Sequence, residues 1–100
     1  MKEEEENTKK FLESIKQLME EIALIHHKIY YEYKPEVENM IASKMTDDAA
    51  IQQLLDILLD HACNAEVLIL YKKLCRHYFD INPHATVEYI NYYREMWDNE

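Results

Sequence analysis

Residues 11–29 read FLESIKQLMEEIALIHHKI, and the apolar side chains Phe11, Ile15, Leu18, Ile22, Ile25 and Ile29 recur along them. Their spacing alternates four and three residues, which is the seam of a heptad-patterned helix. No breaker interrupts the pattern until Pro35. Proline disfavours helical geometry at the preceding residue, here Lys34, so a helix is expected over residues 8–33 and ends or kinks there. At 1.5 Å per residue it is roughly 39 Å long. Pro35 then opens a short helix carrying Val37, Met40 and Ile41. The charged residues 1–8 are expected to fray, leaving residues 9–98 as one domain.

Downstream, Thr46 followed by Asp47 and Asp48 reads as an N-cap with acids suited to the helix dipole. The helix behind it places Ile51, Leu54, Leu55, Leu58 and Ala62 on one face. With Ile57 and Leu59 the apolar arc spans about 200°, wider than a surface stripe, so this helix is expected to be central. The pattern then loses register. A new stripe, Val67, Tyr71, Leu74 and Tyr78, starts after Asn64, a good cap residue, with a turn expected near residues 61–64; one continuous helix over residues 47–80 is the alternative. Asn82 and Pro83 punctuate the chain again, cap followed by first helical residue. The last helix carries Thr86, Tyr89, Ile90, Tyr93 and Trp97 on one face. No strand alternation of useful length occurs. The expected fold is all-α: an antiparallel bundle of four main helices plus the short helix after Pro35, with the first helix overhanging the rest.

Composition narrows function mainly by exclusion. The 100 residues contain no glycine, where ordinary usage gives about seven. Glycine-rich phosphate loops, dinucleotide fingerprints, EF-hand turns and glycine nucleophile elbows are therefore absent. Any left-handed helix C-cap must fall to another residue, such as Asn, at some strain. A net charge of −9, with the run Glu3 to Glu6, repels phosphate and counts against direct binding of nucleic acid or anionic membranes. Cys63 and Cys75 are the only cysteines and show no metal-type spacing, which fits free thiols in a reducing cytosol. The longest apolar stretch, Val67 to Tyr71, is far short of the ~20 residues of a membrane span. The start, Met-Lys-Glu-Glu-Glu-Glu, lacks the apolar region of a signal peptide. A cytoplasmic location is expected.

Little in the chain has the pattern of an active site. Ser14 and Ser43 have no activating context, and no enzymatic chemistry or cofactor is expected. His26, His61 and Cys75 fall within or at the edge of apolar arcs and could converge as a metal or small-ligand pocket inside the bundle. Eight tyrosines and Trp97 form the other unusual group. Most are expected to build the core, with hydroxyls reaching the rim.

Apolar residues on polar faces point instead to a partner. Leu24 and Tyr31 lie almost opposite the heptad seam, and Ile69 sits among Glu66, Lys73 and Arg76 on the polar face of the third main helix. Leu24, Tyr31, Ile69, Lys73 and Arg76 form the expected interaction surface, for a protein partner or a second copy of the chain. An alternative is an acidic regulator that occupies the phosphate site of a basic nucleic-acid-binding protein.

The segment LYKKLCRHYFD (residues 70–80), with Asn82-Pro83-His84-Ala85-Thr86 and Tyr92-Tyr93-Arg94-Glu95-Met96-Trp97-Asp98, resembles small helical proteins of Bacteroidetes, some of them carried on mobile elements. The resemblance covers the last third of the chain. It implies a small bacterial accessory protein of the cytoplasm, and it assigns no activity and no residue a role.

Overall fold

The computed structural model describes residues 2–98, and every regular element among them is a helix: α1 Lys2–Ala42, α2 Asp48–Asp60, α3 Ala65–Phe79 and α4 Pro83–Met96. The turn after α2 falls where the apolar register slips, at residues 61–64.

Pro35 does not divide α1. The helix runs through it to Ala42, so there is no separate short helix, and it begins at Lys2, taking in the acidic segment expected to fray. A proline inside a helix removes one hydrogen bond and costs on the order of 3 kcal/mol. Here the flanking turns are held to one core: Ile29, Tyr30 and Tyr33 before the proline, Val37, Met40 and Ile41 after it. Pro35 and Tyr31, whose carbonyl the proline leaves without its usual donor, are both exposed residues.

The ends of the helices account for the absence of glycine. α1 closes with Met45 N–H on the Met40 carbonyl (3.0 Å) and Lys44 N–H on that of Ile41 (3.2 Å). This is a Schellman motif, and its left-handed position is occupied by Lys44 (φ 54°) rather than by an asparagine. His77 donates to the Met45 carbonyl (2.8 Å) and ties the motif to α3. The cap of α2 is Asp47, not Thr46: its carboxylate accepts from the backbone of Ala49 and Ala50. A charged acceptor suits the positive end of the helix better than the hydroxyl one residue earlier. Asn64 and Asn82 cap α3 and α4, with Pro83 opening α4.

The hub is α3, which packs against α1, α2 and α4. The sequence pattern had pointed to α2. α4 and its C-cap reach α2 through polar atoms: Tyr89 Oη donates to Asp56 (2.9 Å) and Trp97 Nε1 to the Leu59 carbonyl (2.8 Å). The core is Val37, Ile51, Leu55, Leu58, Val67, Leu70, Leu74 and Tyr78, all essentially inaccessible.

Helices α2 to α4 have 13 to 15 residues against 41 in α1. At 1.5 Å per residue they cover about 20 Å of a helix some 60 Å long. The molecule measures 63 × 29 × 17 Å and its radius of gyration is 18.1 Å, against about 13 Å for a compact chain of this length.

Candidate functional site

The largest exposed apolar feature is the part of α1 that extends beyond the body. Phe11, Ile15, Leu18, Ile22 and Ile25 are between 38% and 64% exposed. They are the heptad seam of the sequence, and none of the described residues covers it. Leu12 and Met19, beside the seam, are equally open. At ~100° per residue these seam residues fall in the same arc, about 120° wide, as Ile29, Tyr33, Val37 and Met40, which pack on the body. One stripe therefore runs along α1, covered at its C-terminal end and bare over the rest.

The body begins at His26. Its ring meets that of His61 edge to face at 5.4 Å, and its Nε2 lies 3.7 Å from Cys63 Sγ. Its Nδ1 is buried without a hydrogen-bond partner. So His26 and His61 do come together, and the thiol beside them is Cys63 from the α2–α3 turn. Cys75 instead lies on the side of α3 that faces α4. Among the described residues no three His, Cys, Asp or Glu side chains are grouped in a way that could hold a metal ion.

Cys75 lines an open cleft of about 760 Å³ between α3 and α4, with Leu68, Tyr71, Phe79, Ile90 and Tyr93, rimmed by Lys72, Arg76 and Asp80. Burial pushes the Cys75 thiol up to about 11, partly opposed by its hydrogen bond with Tyr71. Such a thiol stays protonated and unreactive at neutral pH.

The expected interaction residues occupy two places. Ile69, Lys73 and Arg76 share a shallow depression on α3 with Lys72. Leu24 and Tyr31 are both exposed on the back of α1, where Tyr31 packs its ring on His27 at 4.5 Å.

The tyrosine hydroxyls split between structure and surface. Tyr78 donates to Asp48 (2.6 Å) and accepts from Gln52 (2.8 Å), tying α3 to the first turns of α2. Tyr71 donates to the Tyr89 carbonyl (2.6 Å). Burial first, and then neighbouring groups such as Cys75 and Asp56, hold the hydroxyls of Tyr71 and Tyr89 well above the usual tyrosine range, and burial with Asp48 raises that of Tyr78. These three are joints between helices. Tyr31 and Tyr92 are exposed.

No family model matches the chain, and neither does any curated protein or solved structure. Function is therefore argued from surface chemistry alone. His84 and Glu88 meet at 3.4 Å on the exposed face of α4, an ordinary i,i+4 pair. None of the described helices is long and apolar enough to cross a membrane.

The sequence pattern located the apolar seam of α1 but sought the partner surface on the opposite side, at Leu24 and Tyr31. The signal that could have found it was the expected overhang of the first helix. Helices of about 15 residues cannot cover a seam that spans residues 11–29, and the overhang carries the seam with it.

Proposed function

We propose that this chain is a protein–protein interaction module that self-associates through the projecting part of α1. The observation behind this reading is the bare seam, Phe11, Ile15, Leu18, Ile22 and Ile25, on the part of α1 that no other described residue covers. Isolated helices are marginal in water, and most helical stability in proteins comes from packing an amphipathic face. A heptad seam is the pattern by which one helix packs along another.

Area allows a dimer. Burying a large apolar side chain yields 1.5–3 kcal/mol, or about 60–120 Å² at ~25 cal/mol per Å². The five seam residues with Leu12 and Met19 are about half exposed, so from both copies they would remove roughly 450–900 Å² of apolar surface from water. Apolar atoms make up about 56–65% of an interface, so the total reaches only the lower part of the roughly 1,200–2,000 Å² of a stable interface. Within each copy, the short links make α2, α3 and α4 antiparallel neighbours, and this body holds the start of the projecting segment at His26. Leu24 and Tyr31, with Ile69, Lys73 and Arg76, remain exposed for a further protein contact, on a chain whose charge disfavours nucleic acid and anionic membranes. The reading includes a cytoplasmic location and no catalysis.

The test compares two double variants by sedimentation. Ile15→Lys with Ile22→Lys removes the seam and should shift the dimer to monomer at least tenfold in dissociation constant. Leu24→Lys with Tyr31→Lys should leave it within about twofold. The opposite ranking would place self-association on the back of α1 and overturn the seam reading.

A further inference from the structure

We infer that the cleft between α3 and α4 binds a small amphipathic anion of the fatty-acid class, its apolar chain on the cleft floor and its carboxylate between Lys72 and Arg76. No residue of the α1 seam lines this cleft, so the site stands apart from self-association. Its volume of about 760 Å³ falls within the roughly 300–1,000 Å³ of small-molecule sites. The floor suits an apolar ligand. Tyr71, Cys75 and Thr86 are buried there, and the hydroxyls are used within the protein. Tyr71 Oη donates to the Tyr89 carbonyl (2.6 Å) and Thr86 Oγ1 to the Asn82 carbonyl (2.9 Å). Cys75 behaves there as a small hydrophobe. Phe79 on α3 and Ile90 on α4 stand exposed at the walls. An apolar chain between them would take carbon surface of both helices out of water and leave no buried donor unpaired.

Charge selects the head group. The chain as a whole carries −9, but residues 67–79 hold Lys72, Lys73 and Arg76 and no carboxylate. Residues 89–94 of α4 hold Arg94 and no carboxylate. Lys72 and Arg76 both line the cleft, one helical turn apart, or about 6 Å along the axis, so one carboxylate can meet both. Both are exposed, and among the described residues the one ion pair is His84 with Glu88, so neither cation has a carboxylate partner. Asp80, a turn beyond Arg76, closes the rim and repels a carboxylate from that end. A membrane surface would meet the net negative charge of the whole molecule. A single small anion meets only the positive part of this rim, because charges beyond about 10 Å are screened.

Titration of the ¹⁵N-labelled chain with decanoate, below its micelle concentration, tests the site by amide chemical shifts. Saturable shifts led by Leu68, Cys75, Thr86 and Ile90 are expected. Lys72→Ala with Arg76→Ala, two exposed positions whose loss leaves the core intact, should weaken binding about tenfold. Decyltrimethylammonium, the same chain with a positive head, should leave the cleft amides unshifted. The inference is overturned by the absence of saturable shifts, by a response led by Phe11 to Ile25, by an unweakened double variant, or by equal binding of the cationic probe. Cleft shifts that follow protein concentration alone would mean that a second copy fills the cleft, and would overturn it too.

Discussion

Lys44 shows at a single residue how a chain without glycine ends a helix. With φ at 54° it carries a side chain where a Cβ is disfavoured, at roughly 1–2 kcal/mol. Lys44→Gly should therefore raise unfolding free energy by about 0.5–1 kcal/mol, part of the gain being lost to the greater freedom of glycine in the unfolded chain. Urea denaturation checks this, and an unchanged or lower midpoint contradicts it. The buried tyrosines set a pH limit. Tyr71, Tyr78 and Tyr89 are held protonated in the fold, as is Cys75, while in the unfolded chain they ionise from their ordinary values of 10.0 and 9.0. Folded values above unfolded ones mean that the unfolded state sheds protons first. Stability is then fully present below about pH 9 and falls as pH rises past 10. Tyr78→Phe should cost about 1–2 kcal/mol at neutral pH, because Asp48 and Gln52 lose their shared partner, and it should flatten the alkaline slope. A urea midpoint constant from pH 8 to 11 would contradict the account. The sequence pattern showed that most tyrosines belong to the core. Which hydroxyl meets which carboxylate depends on helix–helix geometry, which no local pattern encodes.

Among the elements, α1 departs most from expectation. Its proline was legible as punctuation because local preference ends a helix before proline. The helix continues because packing on both sides of Pro35 outweighs one lost hydrogen bond, a tertiary effect outside local reading. The caps Asn64 and Asn82 were legible because capping is a matter of a few adjacent residues, and Asp47 displaced Thr46 by a single position. The hub role of α3 was hidden, since arc width reports burial but not how many helices share it. Under the proposed self-association, the bare half of α1 draws its stability from packing between copies. Amide hydrogen exchange over residues 5–22 should slow at least tenfold between 1 and 100 µM protein, while residues 67–78 keep the same protection. Equal exchange of the two regions at both concentrations would count against an intermolecular partner for the seam.

For the whole molecule, the contrast between a 63 Å length and a 17 Å thickness organises the account. Three short helices build a core around the last third of α1, and the remainder of that helix extends from the body with its apolar stripe in phase. Heptad spacing, helix content and the bare patches on α1 and α3 could all be read from residue periodicity. Coverage could not, because it depends on how far α2, α3 and α4 reach along α1. The same limit applies to His26, His61 and Cys63, whose meeting depends on where the α2–α3 turn falls against α1. The central claim is that the seam is filled by a second copy. Sedimentation equilibrium of the unmodified protein at tens of micromolar tests it most directly. The account predicts a species of twice the 12.1 kDa chain mass that dissociates on dilution; a single 12.1 kDa species throughout that range would contradict it.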